Sequence, residues 1–190
     1  RGYVICGTND EFPGFSQEIY DTEDGERWEG FDVDICRAVA VAVFGDANDI
    51  EFTIVNGKTR FEFLIDGTID ILSAATTFTY SRNVLKKLEF MPTTYYDGQG
   101  FIVRKTLGVS SAKQMQGARI CFSGSGTAAK NIADFMKLHG ISYIPVPVKP
   151  TEKTKNVYKR GDCDMYGTDR SGLASNRLSF DDPERHMILP

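Results

Sequence analysis

Two junctions in this chain share one design. Asp-Gly-Thr-Ile-Asp-Ile at 66–71 and Arg-Gly-Asp-Cys-Asp-Met at 160–165 each stop a helical stretch before a glycine, then carry an acidic residue into an apolar, strand-like run. Around each junction the same order of elements can be read. On the first side, Tyr3–Gly7 reads as a strand and Thr8 to Gly14 as a polar, aromatic loop. Ser16–Glu29 is an irregular excursion or a hairpin, with turn composition around Asp21 to Gly25. Phe31, Ile35, Ala38, Val39, Ala42 and Val43 then recur at helical spacing, Asp32 is available as a cap and Gly45 ends the run. Ile50–Val55 alternates as a strand, Thr59–Asp66 carries Phe61, Leu64 and Ile65 on one side of a helix, and Ile69–Ser73 is the third strand.

The second side repeats this order. Its strands are expected at 118–122, 142–148 and 163–167, with helices at 127–138, 151–159 and 171–177. Strand, helix, strand, helix, strand predicts an α/β architecture with right-handed crossovers and a mostly parallel sheet in each half. The chain therefore reads as two similar lobes, residues 1–101 and 102–187, with extended hinge segments near 100–105 and 186–190.

Open α/β sheets collect ligands beyond the carboxyl ends of their strands. At one such end lies Asp-Ile-Leu-Ser-Ala-Ala-Thr-Thr-Phe-Thr-Tyr-Ser-Arg, residues 70–82, where a buried run changes abruptly into hydroxyl groups and ends in a guanidinium. Thr76, Thr77 and Thr79 supply hydroxyls and amides, and Arg82 supplies a planar fork of donors that matches a carboxylate. The alternative is that the threonines cap a short helix from Ser81 and Arg82 pairs with a surface carboxylate such as Glu89. Gly124-Ser-Gly126-Thr-Ala-Ala129 has the form of a dinucleotide fingerprint, but no acidic residue ends the following strand to take a ribose. What survives is a set of amides at a helix start, attractive to an anion. Asp169 ends the third strand of the second lobe, either accepting from an ammonium group or capping the helix that follows.

Other chemistries find less support. The two histidines, His139 and His186, stand away from the strand mouths, and no Ser-His-Asp set or close carboxylate pair emerges, so no catalytic residue is assigned. A net charge of −4 with interspersed signs offers no basic stripe for nucleic acid. No apolar run approaches the ~20 residues of a membrane span, and the start at Arg1 does not read as a signal sequence, so the signal of an exported protein would already be removed. Cys6, Cys36, Cys121 and Cys163 contain no C-x-x-C pair, which argues against zinc; no metal or cofactor is expected. An even count suits two disulfides in an oxidising compartment or four buried thiols.

Cys-Gly-Thr-Asn-Asp-Glu-Phe-Pro-Gly-Phe-Ser (6–16), Trp-Glu-Gly-Phe-Asp-Val-Asp-Ile-Cys-Arg-Ala-Val-Ala (28–40), Thr-Thr-Phe-Thr-Tyr-Ser-Arg (76–82), Tyr-Tyr-Asp-Gly-Gln-Gly-Phe (95–101) and Gly-Asp-Cys-Asp-Met-Tyr-Gly-Thr-Asp-Arg-Ser-Gly-Leu (161–173) together resemble the family 3 solute-binding proteins of amino-acid ABC transporters, most of all the general L-amino-acid branch. The resemblance implies a two-lobe periplasmic-binding-protein-like fold with a ligand cleft between the lobes. It also implies a periplasmic protein without enzymatic activity or membrane insertion, whose partners are a free L-amino acid and a transporter permease. By position, Arg82 with Thr77 and the backbone at Ala75 would hold the α-carboxylate, and Asp169 the α-ammonium. Thr127 and Gly126 would add contacts from the second lobe, and Asn9 and Phe12 would line the space for the side chain. Ser125-Gly126-Thr127-Ala128 replaces the family's Gly-Thr-Thr run, and the family chain would continue past Pro190 to complete the first lobe with a strand and helices. Pairing within lobes, Cys6 with Cys36 and Cys121 with Cys163, is geometrically feasible, whereas a bridge across the cleft would obstruct closure. The rival readings are an enzyme on the same scaffold, similar to a cyclohexadienyl dehydratase and using Glu11, Asp10 or Tyr96, and the sensing module of a receptor.

Overall fold

A computed structural model describes residues 1–21 and 25–190, in two compact units, Arg1–Thr94 and Tyr95–Pro190. In the first unit, β1 (Val4–Thr8) leads to β2 (Glu11–Phe12), β3 (Ser16–Asp21) and β4 (Gly25–Glu29), which form a small antiparallel sheet. Within Ser16–Glu29, β3 and β4 pair as antiparallel strands; of the turn expected around Asp21 to Gly25, residues 22–24 lie outside the described residues. Helix α1 (Phe31–Phe44) follows, then β5 (Ile50–Ile54), α2 (Thr59–Ile65) and β6 (Ile71–Leu72). Strand β1 lies between β5 and β6 and is parallel to both. The first two amides of α1 are satisfied by the loop before β3, Phe31 donating to the Gly14 carbonyl (3.1 Å) and Asp32 to that of Phe15 (2.8 Å). The Asp32 side chain, expected as a cap, is therefore not needed for capping and points elsewhere. Val55, Ile69 and Ala74 form the buried centre, and a disulfide from Cys6 on β1 to Cys36 on α1 ties helix to sheet across a Cα separation of 6.2 Å.

The second unit carries β7 (Gln99–Arg104), β8 (Arg119–Ser123), α3 (Ala128–Leu138), β9 (Ile144–Val148), α4 (Thr154–Lys159), β10 (Met165–Asp169), α5 (Arg170–Leu178) and β11 (His186–Leu189). Its sheet has the order β11-β7-β10-β8-β9, with β7 antiparallel to both neighbours and the remaining strands running one way. The extended segments expected as connectors near 100–105 and 186–190 are thus strands of this sheet, and the second unit begins at Tyr95, ahead of the boundary drawn at 101/102. An extended linker and a ladder strand have the same local sequence character; the pairing partner decides between them.

Alternation along these strands explains their burial on both faces. Phe101, Val103, Ile120, Phe122 and Met165 pack on one face with Ile132 and Met136 of α3. Ile102, Cys121 and Tyr166 point the other way, against Val157 and Tyr158 of α4 and Leu173 of α5. The Cys121–Cys163 disulfide lies within this second layer.

The repeated junction has a physical basis. In both units a glycine with positive φ, Gly67 (+80°) or Gly161 (+84°), turns the chain after a helix, in the left-handed region that favours glycine. The following aspartate then enters the third strand and reaches the first. The Asp70 carboxylate accepts from the Ile5 amide (2.8 Å) while the Asp70 amide donates to the Ile5 carbonyl (2.8 Å). Asp164 does the same with Arg119, at 2.9 and 2.9 Å. Each carboxylate also meets an arginine, Arg1 for Asp70 and Arg119 for Asp164. The amide and carboxylate of that one aspartate together fix the register of third strand on first, so β5-β1-β6 and β9-β8-β10 are the same three-strand unit built twice.

Candidate functional site

In the first unit the polar groups gather where β1 and β6 end. The loop after β6 is fastened by Asp32, a buried carboxylate that accepts from Ser73 Oγ (3.0 Å) and from the Ala75 amide (3.0 Å). Burial raises the pKa of Asp32, and those two hydrogen bonds oppose the rise. The Ala75 backbone has φ +46°, an uncommon conformation for alanine, imposed where the chain turns away from the sheet. The amide of Ala75, whose backbone is expected to meet the ligand, already donates to Asp32. The group Ala75 can present is its carbonyl, an acceptor suited to an ammonium.

Farther along, Arg82 is held rigidly. Its side chain donates to the Thr77 carbonyl (2.6 Å), its guanidinium lies 5.2 Å from the centre of the Phe61 ring, and the residue is only 8% exposed. Thr79 anchors the turn by accepting from the Arg82 amide through its Oγ1 (3.2 Å), the capping role considered for these threonines. Arg60, absent from the expected set, packs over the same Phe61 ring at 4.8 Å and donates to Thr76 Oγ1 (3.4 Å). Lys86 Nζ is 5.5 Å from that ring. Two guanidiniums are thus fastened to consecutive loop residues, Thr76 and Thr77. The sequence signal for Arg60 was its position beside the strand mouth at 56–58. Asn9 sits just after β1, while Phe12 on β2 stacks on Phe15 (4.7 Å), which meets Phe31 edge-on (6.2 Å).

The second unit presents its own set at the carboxyl ends of β8 and β10. Ser123 and Ser125 hydroxyls are 3.1 Å apart, and the Gly124 amide donates to the Val148 carbonyl (3.0 Å). Gly126 and Thr127 follow, leading into α3; Thr127 is its N-cap residue, yet its side chain makes no capping bond. Asp169 is the N-cap residue of α5 and likewise makes no side-chain capping bond. Asp97 does that work instead, accepting from the Ser171 amide (3.1 Å) and from Ser171 Oγ, while the Gly98 carbonyl takes the Arg170 amide (2.9 Å). Burial, helped by the charge of Asp169, pushes the Tyr166 phenol well above its ordinary value.

The histidines stand apart from these groups. Asp169 pairs with Gln99 at one end of β7, whereas His186 pairs with Arg104 at the other. There His186 Nδ1 meets the Tyr158 hydroxyl at 2.8 Å; burial lowers the His186 pKa and pushes that of Tyr158 up to about 12. His139 ends α3 against Phe135. Among the described residues no three His, Cys, Asp or Glu side chains are placed to hold a metal ion, and no helix is long and apolar enough to cross a membrane. Of the residues considered for an enzyme, Tyr96 is 89% exposed and Glu11 lies on the exposed side of β2.

Known proteins are similar to this chain. Residues 4–173 match the model of the bacterial extracellular solute-binding proteins, family 3. The general L-amino acid-binding periplasmic protein AapJ of Rhizobium johnstonii is 44% identical over all 190 residues, and the glutamate/glutamine/aspartate/asparagine-binding protein BztA of Rhodobacter capsulatus is 41% identical. The chain covers 54% and 55% of those two proteins, about half their length. A periplasmic binding protein from Brucella ovis, solved with glutathione bound, superposes with a TM-score of 0.92 at 40% identity, over 100% of this chain and 58% of that one. From the repeated α/β unit, the polar groups at its strand mouths and these matches, the chain belongs to the bacterial extracellular solute-binding proteins, family 3.

Proposed function

We propose that this chain is the ligand-capturing part of a periplasmic binding protein that takes a free L-amino acid by its head and delivers it to an ABC transporter permease, without chemistry of its own. The observation that carries the proposal is the mounting of Arg82, a nearly buried guanidinium fixed by the Thr77 carbonyl and the Phe61 ring at a strand mouth. A cation so held is built for a carboxylate, and its planar fork matches one bidentately. Arg82 and Thr77 take the α-carboxylate, Asp169 takes the α-ammonium, and Gly126 and Thr127 add polar contacts. Asn9 and Phe12 meet the side chain. The printed names of AapJ and BztA as amino-acid-binding proteins support the ligand class, and no close relative reported above is named as an enzyme.

Arg60 favours a narrower reading, a ligand with a second acidic group such as glutamate: its guanidinium lies over the same Phe61 ring as that of Arg82 and presents a second fork of donors that matches a side-chain carboxylate. A thermal-shift panel of the common L-amino acids tests the proposal. Binding that matters raises the melting temperature, since a ligand at 100 times its Kd adds about 2.7 kcal/mol to the folded state. A panel with no shift at millimolar concentration overturns it.

A further inference from the structure

We infer that Asp97 is a positioning residue for amino-acid recognition: by capping helix α5 from outside, it keeps the Asp169 carboxylate off the helix and directed at the ligand's ammonium. The inference rests on the reading of Asp169 as the ammonium's partner and adds the device that keeps it so.

An aspartate at the N-cap position of a helix ordinarily turns its carboxylate onto the amides two and three residues on, because those groups have no partner within the helix. Asp169 holds that position for α5, in extended backbone with φ −60° and ψ 145°, and yet makes no such bond. The pairing of β7 with β10 explains why. Asp169 lies opposite Gln99, so the chain just before Gln99 overhangs the start of α5. From that overhang the Gly98 carbonyl accepts from the Arg170 amide (2.9 Å), and Asp97 accepts from the Ser171 amide (3.1 Å) and Ser171 Oγ. Asp97 is itself steadied by the Gly98 amide, 2.7 Å from Oδ1. With the Ser171 amide already taken and a second negative charge at the helix start, a swing of Asp169 onto the helix would meet an occupied donor and bring like charges together. The capping work is therefore done by one aspartate and the recognition by another.

The consequence is a specific coupling. Without Asp97, capping of α5 competes with the ligand ammonium for the Asp169 carboxylate. Binding of an amino acid should then weaken about fivefold, the free energy of one helix cap expressed as a binding ratio. A ligand without an ammonium should be indifferent.

The test is calorimetric titration of the chain with L-glutamate and with L-2-hydroxyglutarate, in which a hydroxyl replaces the ammonium. Asp97→Ala is expected to weaken glutamate about fivefold and 2-hydroxyglutarate less than about twofold, and in an Asp169→Ala background its effect on glutamate should vanish, which marks coupled residues in a double-mutant cycle. Asp97→Asn retains a good capping oxygen and should stay within about twofold of wild type. Ser171→Ala, which removes only the hydroxyl bond, keeps the test open should Asp97→Ala fold poorly; it should show the same selectivity at smaller size. Equal weakening of both ligands, or additive effects of Asp97→Ala and Asp169→Ala, overturns the inference while leaving Asp169 as the ammonium's partner. An Asp169→Ala protein that binds glutamate like wild type overturns the underlying reading, and this inference with it.

Discussion

Replacing Arg82 by alanine separates recognition from stability. In the liganded protein a bidentate pair between guanidinium and α-carboxylate is lost while the carboxylate still has to shed its water, a loss of about 2–5 kcal/mol for a buried charged pair. By the affinity arithmetic this is roughly 30-fold to several-thousand-fold in Kd. The nearly complete burial of Arg82 places the expectation above the lower limit. In the unliganded protein the same change deletes the bond to the Thr77 carbonyl and the contact with Phe61. Thr77 is exposed, so water replaces the first partner, and the stability loss should be about 1–2 kcal/mol, a few degrees in melting temperature for a chain of this size. Arg82→Lys should recover only part of the affinity, because a point charge cannot reproduce the fork. Calorimetric titration with L-glutamate is the assay, with L-isoglutamine and N-acetyl-L-glutamate as ligands that lack the α-carboxylate charge and the ammonium respectively. Both should bind far more weakly than glutamate, and His139→Ala should leave all affinities unchanged. Were Arg82→Ala to bind glutamate within about threefold of wild type, ~0.6 kcal/mol, Arg82 would not be the carboxylate's partner.

Four further outcomes are expected. Asp32→Ala should cost about 1–3 kcal/mol in chemical unfolding, because the Ala75 amide and Ser73 hydroxyl lose their acceptor, and should weaken glutamate as the loop loosens; Asp32→Asn, which keeps an acceptor oxygen, should recover most of both. Reduction of the Cys6–Cys36 and Cys121–Cys163 bridges, which span 30 and 42 residues, should lower stability by about 3–4 kcal/mol each on the chain-entropy account, and non-reducing peptide mapping should recover these two pairs and no cross-unit bridge. Burial lowers the pKa of His186 from its ordinary 6.5, so the stability it contributes is complete above that value and is lost as pH falls through 6.5 toward the folded-state value; unfolding free energies below about pH 6.5 should fall less steeply in His186→Gln. Arg60→Met should weaken glutamate about tenfold more than glutamine, and equal losses for the two ligands would remove the case for an acidic side chain.

The repeat was legible in the sequence because it is local. Helix stop, glycine and acidic residue fall within six positions, and the structure adds only what the acid does, which is to clasp the first strand through Asp70 or Asp164. That the extended segments expected near 100–105 and 186–190 pair in the second sheet was not legible, because nothing local separates an extended connector from a strand whose partner is remote. The loop that carries Arg82 was legible in outline as a hydroxyl-rich turn at a strand mouth, with threonine capping as its alternative use, but Phe61 and Arg60 come from the preceding helix and their convergence depends on packing. Asp32 read as a helix cap for the same reason. Its place in the sequence suits capping, and only the fold puts Ser73 and Ala75 nearer than the helix amides it would otherwise serve.

The two units solve one problem in parallel ways. A polar loop beyond the carboxyl end of a strand lacks ladder bonds, and left alone it would satisfy its own amides with its own side chains, turning those side chains away from any ligand. In the first unit the loop after β6 is bonded by Asp32, which arrives from α1; in the second the chain after β10 is bonded by Asp97, which arrives from the segment before β7. Each carboxylate takes amide and hydroxyl donors together, Ala75 with Ser73 in one case and the two donors of Ser171 in the other. The device holds the backbone without drawing on the side chains proposed to meet the ligand, those of Thr77 and Arg82 in the first unit and of Asp169 in the second. On this account the supporting aspartates should be less tolerant of alanine than of asparagine, since what they supply is an acceptor oxygen. Asp169, whose proposed task requires its charge, should tolerate neither.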